Sequence, residues 1–324
     1  MSMIRNLVNE LHLGKAVEFE GLQVTPLLSG YTSELDYVLL DEALAAGDVV
    51  IRELSEQGSV PELALDNGGT RPILALDGEE LVGAKQNRIL NLTILAPAGK
   101  VTVIPVSCVE AGRWDYKSRE FSTSDRAFYS RGRASKLQQV SDSLEHSNSR
   151  RSDQGAIWED ISMKSMRFQT SSKTSAMAAM FEERRGSIDS YVKALVPGKD
   201  EVGAVFSSRG RILGLDVFDR ASTYARIAAK LIRSNALEVL DPEPDGESRN
   251  PGGRSTSADI AGFLKDIAAA ECKAYKAVGL GEDLRFELGA AMGAALQEGD
   301  RILHLSAFPQ GAHGRRARAD RVVI

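Results

Sequence analysis

The sequence predicts an α+β fold, with a strand-rich first third, a helical middle and strands that return near the C-terminus. In the first third, short apolar runs that alternate with polar residues are separated by turn residues such as Asn67-Gly68-Gly69 and Asp77-Gly78. In the middle third, apolar residues recur at helical spacing instead. Because strands and helices occupy separate stretches, this order favours α+β over a doubly wound α/β fold, with a mixed or antiparallel sheet.

The first third begins with an amphipathic helix within residues 1–14, since Ile4, Leu7, Val8 and Leu11 lie at helical spacing. A short helix over residues 41–47 is expected to end at Gly47. The strand candidates of this third are residues 17–28 with a break at Gly21, then 37–40, 48–54, 62–65, 72–76, 88–95 and 100–106.

The rest of the chain is predicted as one body with the first third, in a single large domain over residues 15–310. Polar residues 117–152 are interpreted as a mobile loop with a helix from about Ser135 to Leu144, and residues 241–257 as a second flexible loop. Asp219 is expected to cap a helix. Apolar stripes predict helices around residues 157–161, 177–195, 224–231 and 258–270; a hairpin is expected at 202–206 and 212–218, strands at 272–278, 284–288 and 302–308, and an exposed tail at 311–324.

Charge and cysteine usage limit the class of protein. Forty Lys and Arg against 45 Asp and Glu give a net charge of −5, which argues against bulk nucleic-acid binding. Two distant cysteines, Cys108 and Cys272, form neither a disulfide framework nor a zinc motif and fit a reducing compartment. The sequence shows no signal-peptide pattern and no apolar run long enough to span a membrane. We therefore expect a cytoplasmic protein with no membrane partner.

The densest polar cluster is DGEELVGAKQNRILN, residues 77–91, which lies between two apolar strand candidates. Carboxylates, cations and amides on one short segment could serve as acid/base groups, phosphate partners and base or ribose contacts. The candidates are Glu79 and Glu80 for catalysis, and Lys85, Gln86, Asn87 and Arg88 for ligand binding. The alternative interpretation is a charged, solvated hairpin.

A second cluster, SCVEAGRW at residues 107–114, follows the strand candidate 100–106. Cys108 could act as a nucleophile, Glu110 as an acid or base, Arg113 as an anion clamp and Trp114 as a stacking face. Alternatively, Cys108 is a small core residue, since no histidine lies near it in the sequence, and Arg113 and Trp114 pack together at a strand end.

Residues 113–136 interleave basic and aromatic side chains, which suggests contact with a nucleotide or nucleic acid, or else anchoring of a long loop. No cofactor is predicted, because dinucleotide, P-loop, HExxH and GxSxG motifs are missing from the sequence. A divalent metal held by Glu79, Glu80 and Asp216 is kept as an alternative.

The two clusters in series, GEELVGAKQNRILN and PVSCVEAGRW, resemble the ARG and rhodanese-phosphatase-superfamily-associated protein domain family. The segment ILGLDVFD before a long helix resembles a second landmark of that family, and the resemblance covers roughly residues 22–308. The family name refers to ADP-ribosylglycohydrolases, so the resemblance implies work on NAD-derived or ADP-ribosylated compounds. It points to the same residues of the two clusters.

Three functional hypotheses follow. The first is binding or processing of an ADP-ribose-like nucleotide, with hydrolysis of a glycosidic or phosphoester bond as the reaction. The second is a non-catalytic protein- or nucleic-acid-interaction module. The third is a Cys108-dependent hydrolase or transferase. The first requires residues 77–91 and 107–114 to fold toward one another around one anion-accepting hollow. The oligomeric state does not follow from these patterns.

Overall fold

The computed structural model describes residues 3–30, 32–55, 61–242 and 253–310. The helices of these residues are α1 (Met3–Asn9), α2 (Leu40–Ala46), α3 (Ser130–Ser147), α4 (Gln154–Phe168), α5 (Ala178–Glu183), α6 (Arg185–Ala194), α7 (Ala221–Val239) and α8 (Ser257–Ala269). The strands are β1 (His12–Leu13), β2 (Val17–Phe19), β3 (Leu22–Leu28), β4 (Val38–Leu39), β5 (Val49–Glu53), β6 (Glu62–Asn67), β7 (Ile73–Ala75), β8 (Glu79–Gly83), β9 (Arg88–Leu90), β10 (Ile94–Ala96), β11 (Lys100–Cys108), β12 (Glu120–Ala127), β13 (Glu201–Ser208), β14 (Arg211–Phe218), β15 (Cys272–Lys276), β16 (Glu282–Leu288), β17 (Ala291–Glu298) and β18 (Arg301–Pro309). These elements confirm the α+β prediction.

The largest sheet is antiparallel and lies between helices. Its strands follow the order β1-β3-β13-β14-β18-β17-β16-β15, and β2 pairs with β3 at one side. On one face α1 and α8 pack against it, with Ile4 of α1 and Phe263 of α8 in one buried cluster. On the other face Phe206 of β13 is buried with Tyr224 and Leu231 of α7. Because apolar side chains are removed from water on both faces, this sandwich supplies a large part of the core.

The second unit is a closed antiparallel barrel of six strands in the order β11-β6-β5-β12-β8-β9. Successive side chains on a strand point to opposite faces, so alternate residues fill the interior. The buried apolar residues that share this cluster are Val49, Ile51, Leu63, Leu65, Leu81, Leu90, Ile104, Val106 and Phe121. At one end of the barrel, β5, β8 and β11 finish while β6, β9 and β12 begin. We call this end the barrel mouth.

A separate three-stranded sheet has the order β10-β7-β4. Helix α2 follows β4 and ends, as predicted, at Gly47, whose φ of 77° is a left-handed conformation that glycine adopts without strain. Two ion pairs join α2 to α7, from Arg226 to Glu42 and from Lys230 to Asp41. The start of α7 is thereby held beside α2.

Two sequence-based expectations are wrong. Residues 117–152 contain strand β12 and helix α3, which spans Ser130–Ser147 instead of only Ser135–Leu144. The stretch resembled a loop because it is polar, yet several of its charged side chains, such as Arg133 and Lys136, are buried in ion pairs. Asp219 does not cap α7; its carboxylate accepts a hydrogen bond from the Tyr37 hydroxyl, and Arg220 occupies the N-cap position.

Smaller differences concern strands with weak patterns. Residues 88–95 form two strands, β9 and β10, and β17 was not predicted because its small residues Gly293, Ala294 and Ala295 blur the alternation. The N-terminal helix is confirmed as α1, with Ile4 and Leu7 buried.

Some expectations fall on residues that the structure does not describe. Of the predicted loop at 241–257, residues 243–252 lie outside the described part of the chain, and Thr256 caps α8. The predicted tail at 311–324 also lies outside it. Among the described residues, no helix has the length and apolar character needed to cross a membrane.

Candidate functional site

A polar layer lies at the barrel mouth, directly above the apolar interior. Glu53 ends β5 and continues the inward alternation of Val49 and Ile51. Arg88 begins β9 and is the register partner of Cys108, the last residue of β11. Arg88 and Cys108 are both 0% exposed, and Glu53 is buried as well. Folding therefore brings a carboxylate, a guanidinium and a thiol together from three strands.

The Arg88 guanidinium is only partly satisfied. Its Nη1 donates to the backbone oxygen of Gln86 at 3.2 Å and to the Gln86 side-chain oxygen at 3.1 Å. Its Nη2 lies 3.6 Å from Glu53 Oε1, which is too long for a hydrogen bond. Within the described part of the chain, Arg88 Nε and Nη2 and both Glu53 carboxylate oxygens lack hydrogen-bond partners. Buried donors and acceptors of this kind are destabilising unless another group binds them.

Aromatic side chains lie over this layer. The Trp114 ring centroid is 5.7 Å from Arg88 Cζ and 5.3 Å from Lys85 Nζ. Lys85 Nζ is also 5.0 Å from the Tyr116 ring, which places the ammonium between two aromatic faces. Trp114 is 44% exposed and Tyr116 50% exposed, whereas Lys85 is buried. The barrel mouth thus presents solvent-accessible rings next to buried positive charge.

The Cys108 thiol does not have the environment of a nucleophile. Burial raises its pKa to about 11, although the nearby Arg88 charge acts in the opposite direction. The thiol is therefore protonated at neutral pH, and only the thiolate is reactive. Its backbone is fixed by Gln154, which accepts from the Cys108 N–H at 2.7 Å and donates to the Cys108 carbonyl at 2.8 Å. Cys108 is thus held at the barrel mouth as a neutral thiol.

The segments 77–91 and 107–114 do meet, and part of the contact is a buried brace outside the barrel wall. The Asn87 N–H donates to Glu110 at 3.2 Å, and the Asn87 amide donates to Glu80 at 3.4 Å. Arg113 donates to Asn87 Oδ1 at 3.1 Å and to Glu110 at 2.7 Å. Glu80 also pairs with Arg126 at 2.8 Å. These groups are engaged with one another through hydrogen bonds and ion pairs.

The two carboxylates of this brace differ in pKa. Burial raises the pKa of Glu80 above its ordinary value in spite of Arg126. Burial acts in the same direction on Glu110, but hydrogen bonds led by that of Arg113 hold the pKa of Glu110 below its ordinary value. Glu110 is thus ionised and engaged at neutral pH.

Glu79 lies at the opposite end of the barrel from Arg88. Its carboxylate accepts from the Leu76 N–H at 2.7 Å and from Lys230 Nζ at 2.6 Å. The proposed metal ligands Glu79, Glu80 and Asp216 are thus each paired with a different cation. No cluster of three or more His, Cys, Asp or Glu side chains in the described ranges could hold a metal ion.

A second buried charge cluster, which we call the Arg133 network, surrounds the start of α3. Arg133 Nε donates to Asp77 at 3.1 Å, and its two Nη atoms donate to Asp216 at 2.9 and 2.7 Å. Lys136 also pairs with Asp77, and the His304 ring is 3.1 Å from Asp216. Burial opposes ionisation of both carboxylates, yet their partners hold the pKa of each below its ordinary value. The network joins α3 to β14 and β18.

The basic and aromatic stretch 113–136 does not form one continuous surface. Its aromatic side chains divide into an exposed pair, Trp114 and Tyr116, and three buried residues, Phe121, Phe128 and Tyr129. Arg126 and Arg133 are buried in ion pairs. Nucleic-acid binding through 113–136 stays a prediction, and only the exposed pair presents rings for it.

Sequence reasoning did not select Glu53. Its signal was present in DVVIREL, where Val49, Ile51 and Glu53 share one face of a strand. A charged residue at the end of an inward-facing series either has an ion-pair or hydrogen-bond partner or serves a function. The spatial neighbours of Glu53, Arg88 and Cys108, are far from it in the sequence. Only closure of the barrel brings them together.

Comparisons with known proteins agree with the family resemblance. No curated protein and no solved structure matches this chain. The sequence profile of the ARG and Rhodanese-Phosphatase-superfamily-associated Protein domain, ARPP-1, matches residues 10–308, which is most of the chain. The chain therefore belongs to the ARG and Rhodanese-Phosphatase-superfamily-associated Protein domain family.

Proposed function

We propose that this protein binds an ADP-ribose-like or NAD-derived nucleotide at the barrel mouth. The single observation that carries the proposal is the buried guanidinium of Arg88, whose Nε and Nη2 lack acceptors among the described residues. These two nitrogens lie on one edge of the guanidinium plane, and a phosphate or carboxylate accepts two parallel hydrogen bonds from such an edge.

The surroundings of Arg88 fit the other parts of a nucleotide. Trp114 and Tyr116 offer half-exposed ring faces on which a base can stack. The Lys85 ammonium between them adds positive charge within reach of a second phosphate. The mouths of β-barrels are recurrent positions for small-molecule sites, because an apolar floor and a few polar groups meet there.

The ligand class follows from the family as well as from this chemistry. The family name links it to ADP-ribosylglycohydrolases, which supports a compound that contains ADP-ribose. An anion-binding edge next to exposed aromatic rings is consistent with such a compound. The other two hypotheses receive less support, since the Cys108 pKa is raised and the charged groups of 77–91 are largely buried.

For turnover, the geometry favours Glu53 over the carboxylates selected from sequence. Glu79, Glu80 and Glu110 are engaged by Lys230, Arg126 and Arg113. Glu53 has no hydrogen-bond donor among the described residues and lies beside Arg88. We propose that Glu53 accepts a proton from water if the bound nucleotide is hydrolysed at a glycosidic or phosphoester bond.

Isothermal titration calorimetry with ADP-ribose, NAD and ADP tests the binding proposal. We expect at least one of these compounds to bind, and Arg88→Gln to reduce its affinity at least about tenfold, since a charge-assisted bidentate contact is lost. Arg5→Gln, which removes an exposed arginine on α1, is the matched control and should leave the affinity unchanged. Thermal melting establishes that both variants are folded.

Two outcomes would contradict the proposal. One is the absence of heat for all three compounds with folded wild-type protein. The other is equal affinity in wild type and Arg88→Gln. Trp114→Ala gives an independent measurement, because this exposed ring contributes little to the core and its removal should still weaken base stacking.

A further inference from the structure

A cleft of about 480 Å³ lies at the end of the barrel opposite to the barrel mouth, between α2 and the start of α7. Asp48, which precedes β5, and Arg71, which precedes β7, mark its position at that end. Its volume is in the range of small-molecule sites. None of the residues selected from the two sequence clusters lines it.

Three arginines from separate parts of the chain line this cleft. Arg71 comes from the loop before β7, Arg220 from the N-cap of α7 and Arg226 from the second turn of α7. Glu42 and Asp48 are the carboxylate residues of the lining, against three arginines, and the buried Asp219 behind the cleft lies 3.8 Å from Arg220. The Arg226 side chain is 59% exposed in its ion pair with Glu42, and Arg71 is half exposed in its contact with Asp36. Exposed ion pairs are weak, so an anionic ligand can replace these partners.

The start of α7 adds to the positive potential. This helix has 19 residues, and its N-cap side chain, Arg220, makes no capping hydrogen bond. The first N–H groups of a helix and its dipole favour an anion at this end. Ser222 and Thr223, in the first turn, line the same cleft and bring hydroxyl groups to it.

The floor of the cleft holds Arg220 in place. The Arg220 guanidinium carbon lies 3.9 Å from the centroid of the Tyr37 ring. The Tyr37 hydroxyl donates to the buried carboxylate of Asp219 and lies 2.6 Å from the Thr223 hydroxyl. A stacked guanidinium on a hydrogen-bonded ring loses little freedom when a ligand binds.

We propose that this cleft is a second binding site, which takes a small phosphorylated compound. Arg220 and the start of α7 would bind one phosphate, and Arg226 and Arg71 a second one. The apolar wall formed by Leu39, Ala43 and Ala46 would contact the uncharged remainder of the compound. The three arginines disfavour a divalent cation there, and a cleft of about 480 Å³ suits a small molecule better than a polymer.

The site stands independently of the nucleotide proposed at the barrel mouth. Arg88 and Arg220 belong to opposite ends of the barrel, so each can be altered without touching the other. The phosphate chemistry could come from free pyrophosphate or from the diphosphate of a nucleotide, and the experiment must separate these sources.

Calorimetric titration with pyrophosphate and with inorganic phosphate, at constant ionic strength, tests the proposal. We expect pyrophosphate to bind wild-type protein, with an affinity at least tenfold lower in Arg220→Gln and in the double variant Arg71→Gln/Arg226→Gln. Arg5→Gln, which removes an exposed arginine on α1, should retain the wild-type affinity. Arg220→Lys, which keeps the charge but loses the two-pronged geometry, should give an intermediate affinity and covers the case in which Arg220→Gln fails to fold.

No binding of either probe by folded wild-type protein would overturn the proposal. So would equal pyrophosphate affinity in wild type and the folded arginine variants of the cleft. Competition of ADP-ribose with pyrophosphate in Arg88→Gln would identify a nucleotide diphosphate as the ligand source. Retained pyrophosphate binding without such competition would assign the cleft to the free anion.

Discussion

Two buried arginines in this protein have opposite surroundings. Arg133 donates through three nitrogens to two carboxylates, Asp77 and Asp216, at 2.7 to 3.1 Å. Arg88 donates hydrogen bonds through Nη1 to Gln86 alone, and its Nε and Nη2 have no hydrogen-bond acceptor among the described residues, with Glu53 at 3.6 Å from Nη2. Both side chains are almost completely removed from solvent.

The difference in hydrogen-bond partners distinguishes an arginine that stabilises the fold from one that is available to a ligand. A buried charge is tolerated when partners replace its hydration, and removal of one partner is then strongly destabilising. A buried charge with unused donors weakens the fold and persists where something else uses it. We therefore interpret the Arg133 network as a structural clamp and Arg88 as a ligand contact.

The largest effect on stability is expected when the Arg133 network is disrupted. Arg133→Gln leaves Asp77 and Asp216 with too few positive partners and should lower the free energy of unfolding by about 3–5 kcal/mol. Urea denaturation followed by circular dichroism measures this change, with Arg5→Gln as the control. A loss below about 1 kcal/mol would show that the network is not a clamp.

Acidification should weaken the same clamp. The folded protein holds the pKa of Asp77 and of Asp216 below the ordinary value, so below about pH 4 the unfolded chain binds more protons than the folded one. The stability that these carboxylates contribute is therefore complete above that range and is lost as the pH falls through their folded pKa values.

Urea denaturation at a series of pH values checks this expectation. The free energy of unfolding should decrease on acidification below about pH 4, and Asp216→Asn should show a shallower decrease because one titrating group is gone. An identical pH slope in wild type and Asp216→Asn would rule out this source of acid sensitivity.

Changing Arg88 should affect binding more than stability. Arg88→Gln removes one positive charge 3.6 Å from the buried Glu53, whereas Arg133→Gln removes the partner of two carboxylates, so the free energy of unfolding should fall by less than in Arg133→Gln. Its nucleotide affinity should nevertheless fall at least about tenfold. A loss of stability as large as that of Arg133→Gln would make the two arginines equivalent and remove the contrast between them.

The smallest effect on nucleotide binding is expected from substitution of Cys108. Because burial raises the pKa of its thiol to about 11, iodoacetamide at pH 8 should modify the partly exposed Cys272 well before Cys108. Cys108→Ala should bind nucleotide within about twofold of wild type. Faster alkylation of Cys108, measured by peptide mass spectrometry, would instead indicate an activated thiol.

Local patterns predicted much of the fold. Alternation and turn residues located four of the six barrel strands, β5, β6, β9 and β11, but not β8 or β12, and Gly47 marked the end of α2. The polar composition of residues 117–152 led to the wrong prediction of a loop. Arg133 and Lys136 are charged residues whose partners, Asp77 and Asp216, lie far away in the sequence. Ion pairs between distant segments leave no trace in a local pattern.

The candidate site was predictable to a similar extent. Arg88, Cys108, Lys85 and Trp114 were selected from their clusters and do lie together at the barrel mouth. Glu53 could not be joined to them, since its proximity depends on closure of six strands. Glu79 lies only nine positions before Arg88, but it begins β8 at the other end of the barrel.

A crystal structure of the protein with ADP-ribose tests the central claim most directly. We predict that a phosphate oxygen of the nucleotide accepts hydrogen bonds from Arg88 Nε and Nη2 and that the adenine ring stacks on Trp114 or Tyr116. A nucleotide bound elsewhere, with Arg88 Nε and Nη2 satisfied by protein groups, would contradict it.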